Sequence, residues 1–123
     1  VTLILPHIPD KKVPFALAKT HFLPLMEAGV QIYEYTPGFL HAKVFVSDGL
    51  RGTVGTVNLD YRSLYHHFEC GAYLCGGPCA ARLEKDFQET LAQSQLVTRQ
   101  EAAHPGPLWR LLGMLAKVLA PLM

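Results

Sequence analysis

The sequence lacks any marked excess of one charge: its 123 residues include 11 Lys and Arg against 10 Asp and Glu, for a formal net charge of +1. This balance argues against a broadly basic surface for nucleic acid, so any anion site must be local. The sequence also has no apolar run of about 18 residues, so no segment is typical of a membrane-spanning helix. It contains no internal repeat and no low-complexity tract. A single globular domain is therefore the expectation.

Cysteine is scarce as well, with three residues at Cys70, Cys75 and Cys79. An odd number does not close a disulfide framework, and the spacing lacks the paired short intervals with histidine that a zinc site uses. We interpret the three as small apolar residues, and we predict no metal and no cofactor. The sequence begins without Met, directly in an apolar segment of strand type. We therefore expect that an earlier part of the polypeptide has been left out.

Apolar residues are abundant, at 50% of the sequence against 17% for charged residues. Their periodicity predicts an alternating α/β order. Pro24 should kink or split the first helix, whereas Pro78 suits the first turn of the second. Residues 98–106, which contain Pro and Gly, are expected to form a hinge. The predicted strands cover residues 1–8, 30–35, 40–48, 52–57 and 66–76, and the predicted helices cover residues 13–29, 78–97 and 107–123.

The last predicted helix is amphipathic, with Arg110 and Lys117 on one side. Such a helix usually packs its apolar face on protein. A location in a membrane interface is the second interpretation, because a Pro/Gly segment precedes the helix, Trp109 opens it and two cations suit anionic headgroups. The sequence leaves both interpretations open. The apolar face consists of Leu108, Leu111, Leu112, Leu115, Leu119 and Leu122.

A cluster of polar residues lies between residues 41 and 58 of this apolar chain. Because residues two apart on a strand point to the same side, His41 and Lys43 are predicted to share one strand face. An imidazole can attack phosphorus or move a proton near neutral pH, and an ammonium group can neutralise phosphate oxygens. Gly55 allows close backbone approach, while Thr56 and Asn58 add polar groups for phosphate oxygens. These residues predict a phosphoryl-transfer pocket that needs no metal.

The same stretch resembles the HKD signature of the phospholipase D superfamily, H-x-K-x4-D-x6-G-S-x-N, with Thr56 where the family usually has Ser. The flanks "LMEAGVQIYEYTPGFLHAKVFVSD", "GTVNLDYRSLYHHFE" and "PLWRLLGMLAKVLAPLM" are similar to the C-terminal half of bacterial cardiolipin synthases. The resemblance implies an α/β fold, namely a phospholipase D-like α-β-α sandwich half with a mixed β-sheet flanked by helices and one HKD motif. It divides the chain into a second HKD half at 1–97, a hinge at 98–106 and a C-terminal amphipathic helix at 107–123.

The resemblance also implies roles for individual residues. In the family, two HKD halves share one active site, the His of the first half is the usual nucleophile and that of the second half the usual general acid. His41 would then donate a proton to the leaving alcohol, and Glu69 resembles the carboxylate that orients this histidine. Asp48 belongs to the signature, but we expect it to hold the short turn predicted at "DGLRG", residues 48–52, or to pair with a basic residue.

The activity implied by the resemblance is phosphatidyl transfer between two phosphatidylglycerols, which yields cardiolipin and glycerol through a phosphohistidine. The implied partners are phosphatidylglycerol and related phospholipids, a membrane surface, and either an N-terminal HKD half or a second copy of the chain; nucleic acid is disfavoured. The chain would be peripheral at the bacterial cytoplasmic membrane, with an anchor further upstream in the full-length protein. One alternative is a phospholipase D-like phosphodiesterase or nuclease that works as a homodimer. Another is a half-module without catalytic activity of its own.

Overall fold

The computed structural model describes residues 1–122, without the side chain of Leu122. Two parts of the sequence predictions therefore lie outside the described residues. They are the side chain of Leu122 in the predicted apolar face and position 123 of the predicted C-terminal helix. The strands are β1 (Thr2–Pro6), β2 (Gln31–Tyr35), β3 (Val44–Ser47), β4 (Arg51–Gly55), β5 (Gly71–Cys75) and β6 (Ser94–Leu96). The α-helices are α1 (Lys12–Glu27), α2 (Gly77–Ala92), α3 (Arg99–Ala103) and α4 (Pro107–Leu119), together with a π-helical turn (Arg62–His66) and a 3-10 turn (Ala120–Leu122).

The chain divides into two compact units, and the second is inserted into the first. The first unit consists of Val1–Leu40 and Ser94–Met123, and the second consists of His41–Gln93. Each unit has its own sheet of three strands, in the order β1-β2-β6 for the first and β3-β4-β5 for the second. The α/β class that the periodicity predicts is therefore confirmed.

The first unit is built on a parallel β1-α1-β2 crossover, to which β6 adds an antiparallel strand beside β2. Parallel neighbours need a long connection, and α1 supplies it by continuing through Pro24 without a break. Of the kink or split predicted at Pro24, the split is therefore wrong, and the kink stays a prediction. The core of the unit is a cluster of Phe22, Ile32, Val97 and Ala102. It forms where α1 and α3 contact β2 and the end of β6.

Helix α4 packs closely on α1 within the same unit. The rings of Phe15 and Trp109 meet edge to face at 5.3 Å between centroids. A Cβ added to Gly113 would lie 2.5 Å from Cγ2 of Thr20 and 2.6 Å from the carbonyl oxygen of Ala16. Because one of these atoms is backbone, only glycine allows the two helices to approach this closely. No described helix is long and apolar enough to cross a membrane.

The second unit is an antiparallel sheet with α2 packed against it. The β3–β4 connection turns at Asp48 and Gly49, which both have positive φ angles of 56° and 63°. Asp-Gly is the pair that hairpin turns of this kind favour. The amide of Leu50 donates to the carbonyl of Ser47 at 3.2 Å and closes the turn. Helix α2 begins at Gly77, and Pro78 lies in its first turn as predicted.

Three assignments need correction. The strand predicted over 66–76 is limited to Gly71–Cys75, and His66 belongs to the π-helical turn. Strand β3 begins at Val44, so His41 and Lys43 precede the strand that was predicted to carry them on one face. Residues 94–96, predicted as the end of a helix, form β6 because they pair with β2. The segment 98–106 contains α3, whose first turn is closed by a reciprocal capping box between Thr98 and Glu101.

Candidate active site

Lys43 connects the histidine of the motif to the next strand. Its Nζ donates to the backbone carbonyl of His41 at 3.0 Å, and its own carbonyl accepts from the amide of Gly55 at 3.2 Å. The second bond extends the β3–β4 ladder by one step beyond the regular strand. Lys43 is half-buried and His41 is exposed. Hydrogen bonds to backbone carbonyls therefore connect Lys43 with both His41 and Gly55. His41 and Lys43 themselves are not in a regular strand.

Gly55 occupies a position that has no room for a side chain. It pairs with Gly71 across β4 and β5, and a Cβ there would lie 2.5 Å from the carbonyl oxygen of Cys70 and 2.7 Å from Cα of Gly71. Both atoms are backbone, so no rotamer change could relieve the contact. Gly55 thus allows β4 and β5 to approach closely at the point where Thr56 follows β4.

Thr56 joins the end of β4 to the residues before β5. Its amide donates to the carbonyl of Cys70 at 3.0 Å, and its Oγ1 accepts from the amide of Cys70 at 3.1 Å. The same hydroxyl donates to Oε2 of Glu69. Thr56, which stands where the family usually has Ser, therefore retains a hydroxyl group that forms hydrogen bonds. The bond to Glu69 fixes the position of its carboxylate.

Glu69 is held in its charged form by its surroundings. Its pKa is lowered first by the hydrogen bond from Thr56, then by one from Ser63, with further attraction from the charges of His67 and Lys43. A carboxylate that stays ionised can hold an imidazole ring and stabilise its protonated form. The observed bonds show how Glu69 itself is positioned, which the sequence motif does not specify.

Ser63 is a site residue that the sequence interpretation missed. It is buried within the π-helical turn, a rare element that is frequent at functional sites. Oδ1 of Asp60, just before this turn, accepts from the amide of Ser63 at 2.7 Å. The local signal is an Asp three residues before a Ser in "NLDYRSL", because an Asp side chain can bond to nearby backbone amides.

The remaining motif residues lie apart from this network. Asp48 occupies the turn at the other end of β3, where its Oδ2 accepts from Oγ of Ser47 at 3.0 Å. Four strand residues separate it from Lys43, a span of roughly 16 Å at the rise of a strand. Asn58 is exposed in the loop after β4. The structure thus brings Lys43, Gly55, Thr56 and Glu69 together, and it places Asp48 in the distant turn.

A shallow groove of about 230 Å³ opens beside Lys43, with Phe45, Gly55 and Tyr73 among its lining residues. Its walls are largely apolar, and Lys43, Thr53 and Tyr73 are the lining residues with polar side chains. Within residues 1–122, no group of three or more His, Cys, Asp or Glu side chains is placed to hold a metal ion.

Comparison with known proteins places these residues in a family context. Residues 1–91 match the family model described as "Cardiolipin synthase, PLD-like domain". The chain is 54% identical over 123 residues to an uncharacterized protein of Streptococcus mutans serotype c, covering 100% of this chain and 27% of that protein. It is 37% identical over 123 residues to the cardiolipin synthase of Geobacillus kaustophilus, covering 100% and 24%.

A further relative is the cardiolipin synthase 2 of Bacillus anthracis, which is 40% identical over 94 residues, covering 76% of this chain and 18% of that protein. The chain thus spans about a quarter or less of the length of these curated relatives. In the cardiolipin synthases it corresponds to the C-terminal part. No solved structure matches the chain.

Proposed function

Because this chain belongs to the phospholipase D-like domain family of cardiolipin synthases, we propose that it is the second catalytic half of a phosphatidyltransferase. The proposed reaction makes cardiolipin and glycerol from two molecules of phosphatidylglycerol. The observation that carries the proposal is the hydrogen-bonded connection of the motif residues Lys43, Gly55 and Thr56 with Glu69. Chemistry on a phosphodiester needs a proton donor and a fixed positive charge close together, and His41 and Lys43 supply them.

The first step is attack on the donor phosphorus by a histidine of the other HKD half. The phosphorus–nitrogen bond forms, the bond from phosphorus to the glycerol oxygen breaks, and His41 gives its proton to that oxygen so that neutral glycerol leaves. Lys43 stabilises the negative charge that builds on the phosphoryl oxygens. The product of this step is a phosphatidyl group held on the partner histidine.

The second step reverses these roles. The hydroxyl of a second phosphatidylglycerol gives its proton to His41 and attacks phosphorus, while the phosphorus–nitrogen bond breaks and frees the nucleophilic histidine. We assign to Glu69 the positioning of His41 and the stabilisation of its imidazolium form. The hydroxyl of Thr56 supports this assignment because it fixes the carboxylate and keeps it ionised. Asn58 is assigned to the phosphate oxygens. Gly55 and Thr56 instead position Lys43 and Glu69, because their amides and the Thr56 hydroxyl donate hydrogen bonds within the protein.

The mechanism requires two histidines with different tasks, and this chain carries one HKD motif. The second histidine comes from an N-terminal HKD half or from a second copy of the chain related by a twofold axis. The lipid substrates place the reaction at the surface of the bacterial cytoplasmic membrane, with this chain as a peripheral part. No metal is required for either step.

The test is a cardiolipin synthesis assay in mixed micelles of phosphatidylglycerol, with the chain supplied together with a polypeptide that carries a first HKD half. His41→Ala should lower kcat by about 100- to 10,000-fold, because it removes the general acid and base. His104→Ala is the matched control, since this exposed histidine lies in the first unit, outside the motif. EDTA should leave the rate unchanged.

Full activity of His41→Ala with unchanged urea unfolding would contradict the role of His41, and complete loss of activity in EDTA would contradict the metal-free mechanism. Hydrolysis of single-stranded DNA without cardiolipin formation would support the nuclease alternative. For the chain alone, activity should vanish on dilution to the monomer. Activity that stays proportional to concentration in a demonstrably monomeric sample would refute the need for a second histidine.

A further inference from the structure

Helix α4 exposes a continuous apolar face although it is packed on α1. The exposed side chains recur at helical intervals on one side of the helix, and each is between 51% and 79% exposed. A packed amphipathic helix normally turns such a face toward the core. We call this surface the leucine face of α4, and it consists of Leu108, Leu111, Met114, Leu115, Val118 and Leu119.

The contact with α1 uses a different side of α4. Trp109, Gly113 and Ala116 face α1, where Gly113 allows the close approach and Trp109 packs on Phe15. On a helical wheel of 100° per residue, this side is centred roughly 100° away from Leu108 and more than 150° from Leu111. The sequence prediction placed Leu108, Leu111 and Leu112 on one face, and the structure leaves the first two exposed while Leu112 is half-buried. The α1–α4 contact therefore does not account for the leucine face.

The charges around the leucine face have one sign. Arg110 and Lys117 are both exposed and lie together at one edge of the face. No Asp or Glu occurs in the sequence after Glu101. A second copy of α4 laid on the first would therefore offer these cations no carboxylate. A surface of phosphate groups offers them many partners, and an apolar layer lies just beneath it.

We propose that the leucine face of α4 binds an anionic phospholipid bilayer, lying in the interface with its apolar side chains among the upper acyl chains and Arg110 and Lys117 at the phosphates. A helix of 13 residues is about 20 Å long, too short for the hydrocarbon core of roughly 30 Å, so it lies along the surface. This inference concerns a face in the first unit and does not depend on catalysis in the second. It adds a specific membrane contact to the peripheral location proposed above.

The test is co-sedimentation of the 123-residue chain with vesicles of phosphatidylglycerol and phosphatidylcholine in equal parts. Leu111→Ser should weaken binding about tenfold, because it removes a leucine from the apolar layer. Leu50→Ser is the matched control, since Leu50 is 62% exposed against 55% for Leu111 but lies in the β3–β4 turn. The control should bind as the unchanged chain does.

The charge contribution is tested with Arg110→Gln/Lys117→Gln, which should weaken binding to these vesicles about 25-fold, or fivefold per cation. Its control is Arg82→Gln/Lys85→Gln, which removes the same charge from exposed positions on α2. On vesicles of phosphatidylcholine alone, the α4 pair and the unchanged chain should bind equally weakly. Circular dichroism spectra establish that each variant is folded.

Equal binding of Leu111→Ser and the unchanged chain would overturn the proposal. A second result would also overturn it: light scattering shows a dimer, and Leu111→Ser converts that dimer to a monomer without changing vesicle binding. In that case a second copy of the chain covers the leucine face. Vesicle binding is measured without turnover, so its result is separate from that of the activity assay. Chains that bind vesicles but are inactive leave the membrane proposal intact, whereas chains that are active but do not bind refute the membrane proposal and leave the proposed function intact.

Discussion

Replacing Gly55 by alanine should weaken the second unit and disturb the candidate site in one step. The added Cβ would meet the carbonyl oxygen of Cys70 at 2.5 Å and Cα of Gly71 at 2.7 Å. These atoms belong to the backbone before and at the start of β5, so the strand must move away from β4. Any such movement pulls on the two Thr56–Cys70 hydrogen bonds of 3.0 and 3.1 Å.

The size of the effect follows from these contacts. Overpacking in a closed space costs about 1–3 kcal/mol, and weakening two hydrogen bonds costs about 1 kcal/mol each. Because both descriptions count part of the same distortion, we expect a loss of about 2 kcal/mol in the free energy of unfolding. For a chain of 123 residues this corresponds to a fall in Tm of about 8 °C. Gly55→Ala should also raise the pKa of Glu69, because the bond from the Thr56 hydroxyl is disturbed.

The assays are urea unfolding followed by circular dichroism and an NMR titration of the glutamate carboxyl carbons. Gly38→Ala is the matched control: a Cβ at Gly38 meets no atom within 4 Å, and its φ angle is not positive. This control should be neutral or slightly stabilising, by up to about 0.5 kcal/mol. If Gly55→Ala unfolds at the same urea concentration as Gly38→Ala, the close approach of β4 and β5 is not a constraint on this site.

Two further predictions concern the first unit. Lys19→Met should lower the free energy of unfolding by about 3 kcal/mol, because among the described residues it leaves the buried carboxylate of Glu34 with His7, whose Nδ1 lies 2.8 Å from Oε2. Urea unfolding checks this, and a loss below about 0.5 kcal/mol would contradict it. The pKa of His21 is lowered from 6.5 by partial burial and then by the charge of Lys117. The unfolded chain therefore binds a proton at this histidine more readily than the folded chain does. The free energy of unfolding should fall as pH drops below about 6.5. Lys117→Gln should raise the pKa of His21 in an NMR titration and reduce this loss, and an unchanged pKa would mean that the two side chains do not interact.

The sequence predicts those parts of the fold that depend on local pattern. Strand β2, helix α2 and the turn at Asp48 and Gly49 follow from alternation, from helical spacing and from Asp-Gly chemistry. Alternation alone cannot show where pairing stops, so the strand predicted over 40–48 is too long at its start and includes His41 and Lys43. The three residues of β6 carry no strong pattern, because only pairing with β2 makes them a strand.

For the site, the motif predicts which residues take part but not how each is held. Its spacing points to Lys43, Gly55 and Thr56, and the resemblance adds Glu69. The burial of Ser63 and its bond to Glu69 depend on a π-helical turn, which no periodicity in the sequence indicates. The capping box of α3 is different, since the Thr98–Glu101 pattern is itself a local sequence signal for a helix start. Pro24 shows the opposite error, because local preference favours a split in the helix there and α1 continues through it.

The insertion of the second unit into the first has a consequence for the order in which the chain can fold during synthesis. Residues 41–93 form a continuous stretch, so all contacts of the second unit become possible as soon as that stretch has left the ribosome. The first unit must wait for residues 94–123, because β6, α3 and α4 come last. Until then, β2 lacks one neighbour and α1 lacks the helix that covers it. The nascent chain should therefore expose these surfaces to chaperones or to premature association during the final part of translation.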